Sequence, residues 1–416
     1  MIPVTKTFLP PQEEYNSYVK RAWDKAWLTN RGELTLELEQ KLKDYLSVSN
    51  LTITNNGTIP IQIALKLFGK GGEIITTPFS YVATSAAIVW ENCKPIFVDI
   101  HPEYLTIDET KIETAITNKT TAILATHVFG NPCHVTAIET IAKKHNLKVI
   151  YDAAHCFGVK YNNLSIFNFG NVSTCSFHAT KLFHTGEGGA MFCNDEKIHH
   201  QLFYSHNFGH NGPLEFHGLG INAKISELQS AMGLAIFPYM EHIISERKKV
   251  TDFYNENLNF SNLKSIKIRK NTDWNHSYYP LLFDSETTLL RVQEELQKEN
   301  IVPRRYFYPS LNTINYTKGD IMPISESIAS RIICLPLYVG LTREDLEKIT
   351  QITYQVPNFN TKVNLLKHLL TTDESMSRVL VFVNNKKISD LLFESIDEEF
   401  EGQFGVIHSN KSQNYR

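Results

Sequence analysis

The chain has 416 residues, more than one average domain needs and enough to bury a large core. With 42% apolar residues, 20% charged residues and a formal charge of −3, it lacks the field of a protein that grips nucleic acid or an anionic membrane. Its six cysteines form no Cys-x-x-Cys pair and its sixteen histidines no His-Glu-x-x-His spacing, so neither a disulfide framework nor a metal site is expected.

The first residues, Met1 to Pro11, carry no apolar signal-peptide core, and no run approaches the roughly 20 apolar residues of a membrane span. A cytoplasmic location is expected. Residues 11–47 read as helical, with Tyr15, Tyr18, Val19, Trp23, Trp27, Leu34, Leu38, Leu42 and Leu46 at helical spacing. From residue 50 the pattern changes. Short apolar runs at 51–54, 73–76, 95–98, 122–125 and 148–151 read as strands. Helix-like stretches lie between them at 60–68, 82–91 and 135–145. This alternation predicts an α/β fold with a largely parallel sheet covered on both faces. A long amphipathic stretch at 224–256 leads into a smaller α+β part with a strand at 278–283, a helix at 288–299 and a polar-aromatic loop at 303–309.

Ligands of such sheets bind outside the carboxyl ends of the strands, and the chemistry-bearing residues gather there. Asn55-Asn56-Gly57-Thr58 follows a strand and opens a helix. It reads either as a phosphate cradle or as a plain capped turn. Tyr81 follows the next strand, where an aromatic stacks on a planar ring or fills the core. Asp152 closes the strand 148–151. It faces a pyridine nitrogen or caps a helix, and His155 lies three residues on. Lys181 stands among Phe177, Leu182 and Phe183, just before Gly186, Gly188 and Gly189. An apolar setting frees a lysine amine to act as nucleophile and base, and Ser176 upstream can donate to a phosphate. A Schiff-base lysine, a carboxylate for a pyridinium and small residues for a phosphate are the parts a pyridoxal 5'-phosphate (PLP) enzyme needs.

In its order of motifs the chain resembles the DegT/DnrJ/EryC1/StrS family of sugar-nucleotide aminotransferases. The motifs are Asn56-Gly57-Thr58, Thr77-Pro-Phe-Ser-Tyr-Val-Ala-Thr84, Phe97-Val-Asp-Ile100, Asp152-Ala-Ala-His155, Ser176-Phe-x-x-x-Lys181, Gly186-Glu-Gly-Gly189, Gly220-Ile-Asn222 and Leu335-Pro-Leu-Tyr-Val-Gly-Leu341. The resemblance runs from about residue 5 to 350. It implies the PLP-dependent aspartate-aminotransferase (type I) fold, with a mostly parallel seven-stranded sheet in a large part at 1–235 and a small α+β part at 236–355. It implies Lys181 as the cofactor-bonding lysine and proton shuttle, and Asp152 on the pyridine nitrogen. His155 would lie near the ring hydroxyl and Tyr81 on the ring face. Gly57, Thr58 and Ser176 would hold the phosphate, and Asn222 would reach the phosphate of a neighbouring subunit in a homodimer. His184, Arg305 and Tyr306 are further candidates for substrate contact. One branch of the family replaces the lysine with histidine and dehydrates; Lys181 points to transamination.

The wording around Lys181 resembles members that aminate C4 of dTDP-4-oxo-6-deoxyglucose, with glutamate as donor, for cell-surface polysaccharide such as O-antigen. C3 amination and other nucleotides are the alternatives. Residues 356–416 instead resemble a truncated second RecA-like domain of a DEAD-box RNA helicase. From 357 onward that tail carries seven Lys and Arg against eight Asp and Glu, a poor surface for nucleic acid. An adaptor acting through this tail is the alternative of another class.

Overall fold

The computed structural model describes residues 1–258, 260 and 263–354. Met1–Ile349 form one compact unit. A second unit begins at Thr350, and its described residues, 350–354, are helical. The helicase-like stretch lies outside the described residues.

Seven strands build the central sheet: β1 (Asn50–Thr54), β2 (Glu73–Thr76), β3 (Lys94–Phe97), β4 (Thr120–Thr126), β5 (Lys148–Asp152), β6 (Val172–Ser176) and β7 (Gly189–Cys193). Their order across the sheet is β1-β7-β6-β5-β4-β2-β3, and only β7 runs antiparallel to its neighbours. Each predicted strand of this region is present within two residues of its expected ends. The strands read as unbroken apolar runs because both faces are buried. On β4, Ile123 and Ala125 join the core on one face while Ala122 and Leu124 join the core on the other.

Helices α1 (Gln12–Asp24) and α2 (Glu33–Leu46) precede the sheet; α3 (Thr58–Phe68), α4 (Val82–Trp90) and α5 (Val135–Lys144) connect its strands, and α6 (Glu196–Ser205) follows β7. The continuous helix expected over 11–47 is broken at 25–32, where Ala26, Asn30 and Arg31 take positive φ. The cause is distant in sequence. Glu227, buried at the start of α7 (Glu227–Ile236), accepts the free N–H groups of Leu34 at 2.7 Å and Thr35 at 3.2 Å, so a second helix start is satisfied there. The stretch at 224–256 likewise divides, into α7 and α8 (Met240–Asn257), around Phe237-Pro238-Tyr239. A three-stranded sheet of β8 (Leu263–Ser265), β9 (Tyr279–Phe283) and β10 (Ile332–Leu335) carries α9 (Glu286–Lys298) and α10 (Pro323–Arg331). Among the described residues no helix is long and apolar enough to cross a membrane.

Because β4, β5 and β6 are parallel and in register, with Thr126 beside Asp152 and Asp152 beside Thr174, their carboxyl ends share one edge of the sheet. That edge holds the site.

Candidate active site

Asp152 is the last residue of β5 and only 5% exposed. Its Oδ2 accepts from the Thr84 hydroxyl at 2.6 Å, and its Oδ1 accepts the Ala154 N–H at 3.1 Å. Thr84 lies in the first turn of α4, and its hydroxyl lies 2.8 Å from that of Ser80, which in turn is 3.1 Å from that of Thr126. A chain of hydroxyls thus fixes the carboxylate's rotation. Burial pushes the Asp152 pKa above the usual carboxylate range, against the pull of Thr84, Ala154 and the Lys181 charge. A buried carboxylate held by only two neutral donors calls for a cation, and a protonated ring nitrogen supplies one.

His155 follows in the turn after β5. Its Nδ1 accepts the Phe129 N–H at 3.1 Å, which leaves the proton on Nε2. Burial, reinforced by the charge of Lys181, holds the imidazole neutral by pushing its pKa well down. The ring lies parallel to Phe307 at 5.7 Å and edge-on to Tyr278 at 4.8 Å.

Lys181 lies on the connection between β6 and β7. Backbone bonds tie this loop to itself, from Phe177 N–H to the Gly188 carbonyl at 2.8 Å and from Thr185 N–H to the Phe177 carbonyl at 2.9 Å. Phe183 stacks on Phe157 at 4.6 Å and meets Phe177 edge-on at 4.9 Å, so the loop has an aromatic floor. The Lys181 amine donates to the Tyr278 hydroxyl at 3.2 Å. A small pocket is lined by Ala154, His155, Ser176, Thr180, Lys181 and Tyr278.

Gly57 stands at the start of α3 against Ser176, at the end of β6. A Cβ at Gly57 would lie 2.6 Å from the Ser176 Cβ and 2.9 Å from its Oγ, so only glycine lets the turn and the hydroxyl come together. Asn56 Oδ1 accepts the N–H groups of Thr58 and Ile59, each at 2.9 Å. Of the two alternatives above, the structure shows the Asn cap, while the glycine brings the turn up against the Ser176 hydroxyl. Small residues at a helix start, a hydroxyl, a buried carboxylate and a lysine therefore lie at one sheet edge, and this set fits PLP.

Other expected residues lie differently. Tyr81 is 52% exposed at the start of α4, so the core alternative does not apply. Asn222 is exposed; its Oδ1 accepts from Lys224 at 2.8 Å, while the neighbouring Ala223 carbonyl accepts the Asn55 N–H at 2.8 Å beside the phosphate turn. Tyr306 packs edge-on against Tyr278 at 5.3 Å. His184 departs from the expected substrate contact. It is 1% exposed, its Nε2 donates to the Phe8 carbonyl at 2.8 Å and its Nδ1 accepts the Gly186 N–H at 3.2 Å, so it pins the N-terminal segment to the lysine loop. Arg305 is also committed elsewhere, donating to Glu286 at 2.6 Å and to the Ser330 carbonyl at 2.7 Å while lying over the Tyr308 ring. In His184 both ring nitrogens are bonded to backbone, and in Arg305 one guanidinium nitrogen is bonded to a carboxylate and a carbonyl within the fold. Thr84, Phe129 and Tyr278 escaped the sequence reading. Thr84 alone left a signal, a hydroxyl in the first helical turn after β2.

Comparison with known proteins agrees with this geometry. The model of the DegT/DnrJ/EryC1/StrS aminotransferase family matches residues 11–353. A dTDP-4-amino-4,6-dideoxy-D-glucose transaminase from Shigella dysenteriae is 39% identical over 85% of this chain and 98% of its own. A GDP-perosamine synthase from Escherichia coli O157:H7 is 31% identical over 83% of this chain and 95% of its own. The crystal structure of DesI in the presence of its TDP-sugar product superposes with a TM-score of 0.82 at 26% identity, covering 88% of this chain and 95% of that one. With a family match over most of its length and a lysine, carboxylate and glycine cradle at the sheet edge, the chain belongs to the DegT/DnrJ/EryC1/StrS aminotransferase family and is a PLP-dependent sugar aminotransferase.

Proposed function

We propose that the enzyme transfers an amino group from glutamate to C4 of a nucleotide-linked 4-keto-6-deoxy sugar, dTDP-4-oxo-6-deoxyglucose, giving dTDP-4-amino-4,6-dideoxyglucose. The observation that carries the chemistry is the buried Asp152 carboxylate at the strand end, with Lys181 close enough to influence it electrostatically. The choice of sugar is supported by the Shigella relative at 39% identity; the GDP-perosamine synthase at 31% supports the alternative of another nucleotide.

In this reading Gly57, Thr58 and Ser176 hold the cofactor's phosphate and Tyr81 covers its ring. When bound, PLP supplies the electron sink that the side chains lack. Asp152 keeps a proton on the ring nitrogen, held in place by Thr84 and Ala154. His155 presents Nε2–H toward the ring oxygen, and its burial keeps it a neutral donor. Lys181 Nζ would hold the cofactor covalently and, as a free amine, would hold or move the proton at the reacting carbon. Tyr306, packed beside Tyr278, would contact the substrate. Asn222 reaches the phosphate of a neighbouring subunit, which makes the working unit a homodimer of cytoplasmic location. Residues 1–235 serve as the cofactor-binding part and 236–355 as the smaller part.

The test is incubation with PLP, glutamate and a panel of nucleotide keto-sugars, with NMR of the product to fix the aminated carbon. Amination of C4 of the dTDP sugar is expected, with none in Lys181→Ala. Amination at C3, selection of a GDP sugar or undiminished turnover by Lys181→Ala would overturn the corresponding part of the proposal.

A further inference from the structure

Tyr278 has no part in the roles assigned above, yet its hydroxyl is the hydrogen-bond partner of the Lys181 amine, 97 residues away in sequence. The lysine amine ends a flexible four-carbon stem. The tyrosine is held from every side. It is 8% exposed, with its ring against His155 at 4.8 Å, Phe129 at 5.7 Å and Tyr306 at 5.3 Å. Its backbone is equally fixed. Arg247 of α8, itself 6% exposed, donates to the His276 carbonyl at 3.0 Å and the Ser277 carbonyl at 2.5 Å. Asn275 donates to the carbonyls of His155 and Phe157, each at 2.9 Å. Ser277 and Trp274 both donate to the Phe129 carbonyl, at 3.0 and 2.8 Å. The segment at 274–278 is thus bound to the same two loops that place His155 and Phe129.

A rigid hydroxyl facing a mobile amine restricts where that amine spends its time. A phenol both donates and accepts, so it engages Nζ whether or not the amine is protonated. We propose that Tyr278 is a positioning residue for Lys181: its hydroxyl holds Nζ at the pocket whenever the amine is not bonded to the cofactor, that is, during cofactor capture and after substrate has displaced the lysine. The proposal rests on the assignment of Lys181 as the cofactor-bonding lysine.

The experiment uses the full-length apoenzyme, mixed with PLP and quenched with borohydride at timed intervals. Peptide mass spectrometry then locates and counts the pyridoxyl group. In the wild type one group per chain is expected at Lys181, and none there in Lys181→Ala; incorporation only at other lysines would overturn the parent assignment before Tyr278 is considered. Tyr278→Phe keeps the ring and removes only the hydroxyl. It should reach the same final stoichiometry about tenfold more slowly, equivalent to about 1.4 kcal/mol of barrier. Its kcat should fall by a similar factor with KM within about twofold, the pattern of a lost transition-state interaction. Tyr278→Leu removes ring and hydroxyl together. Capture as slow in the Phe variant as in the Leu variant supports the hydroxyl as the acting group. Capture by Tyr278→Phe within about twofold of wild type overturns the proposal and leaves Tyr278 a packing residue, whatever the Leu variant does.

Discussion

Replacing Asp152 with asparagine separates charge from shape at the centre of the site. The amide can still accept the Ala154 N–H now made at 3.1 Å, and its NH2 can donate to Thr84, whose hydroxyl turns to accept. The Thr84 bond changes from charge-assisted to neutral, a loss of about 1 kcal/mol. Against this, burial raises the Asp152 pKa, so the charged form at neutral pH is disfavoured in the folded apoenzyme. A group raised in this way adds stability only at low pH and loses it as pH rises through its folded value, so Asp152→Asn relieves a cost at pH 7. The two changes oppose each other, and apoenzyme stability should move by no more than about 1 kcal/mol. Activity should behave differently. A neutral amide does not keep the ring nitrogen protonated, and kcat should fall about a thousandfold, or about 4 kcal/mol of barrier. Urea unfolding of the apoenzyme and steady-state turnover with glutamate and the dTDP keto-sugar give the two numbers. A loss of activity below about tenfold, or a destabilisation above about 3 kcal/mol, would make Asp152 a structural cap and refute the reasoning.

Gly57→Ala forces a Cβ to 2.6 Å from the Ser176 side chain, so it should cost about 1–3 kcal/mol in urea unfolding and weaken PLP binding in a spectroscopic titration at least about tenfold. His206, 4% exposed, has its pKa pushed by burial from 6.5 to about 4. The unfolded chain takes that proton first, so the contribution is intact above about pH 6.5 and shrinks by about 2 kcal/mol at pH 5; His206→Gln should flatten the stability–pH curve by that amount between pH 7.5 and 5. Mixing inactive Lys181→Ala with inactive Asn222→Asp chains should restore part of the turnover if Asn222 serves a neighbour's site, and proven heterodimers without activity would rule the shared site out. Deleting residues 357–416 should leave turnover within about twofold, because every residue assigned a role lies before residue 310; loss of PLP from the shortened chain would show otherwise.

Much of the molecule is written in local pattern. Short apolar runs marked the strands of the central sheet, and strand-end residues marked Asp152, His155, Ser176 and Lys181, because parallel strands gather their carboxyl ends at one edge. Gly57 was legible as the flexible residue of a strand–helix turn, although the reason for it, the approach of Ser176, is not local. Where reading failed, the deciding partner lay far along the chain. Glu227 breaks the expected helix over 11–47 by capping Leu34, 193 residues away. Phe8 and Glu286 claim His184 and Arg305, whose side chains look free when only their neighbours in sequence are considered. Thr84 reaches Asp152 across 68 residues and Tyr278 reaches Lys181 across 97. Periodicity and turn chemistry report on the backbone within a few residues. Which hydroxyl meets which carboxylate or amine is settled only when the sheet closes and brings distant segments together, as most buried polar groups find partners there.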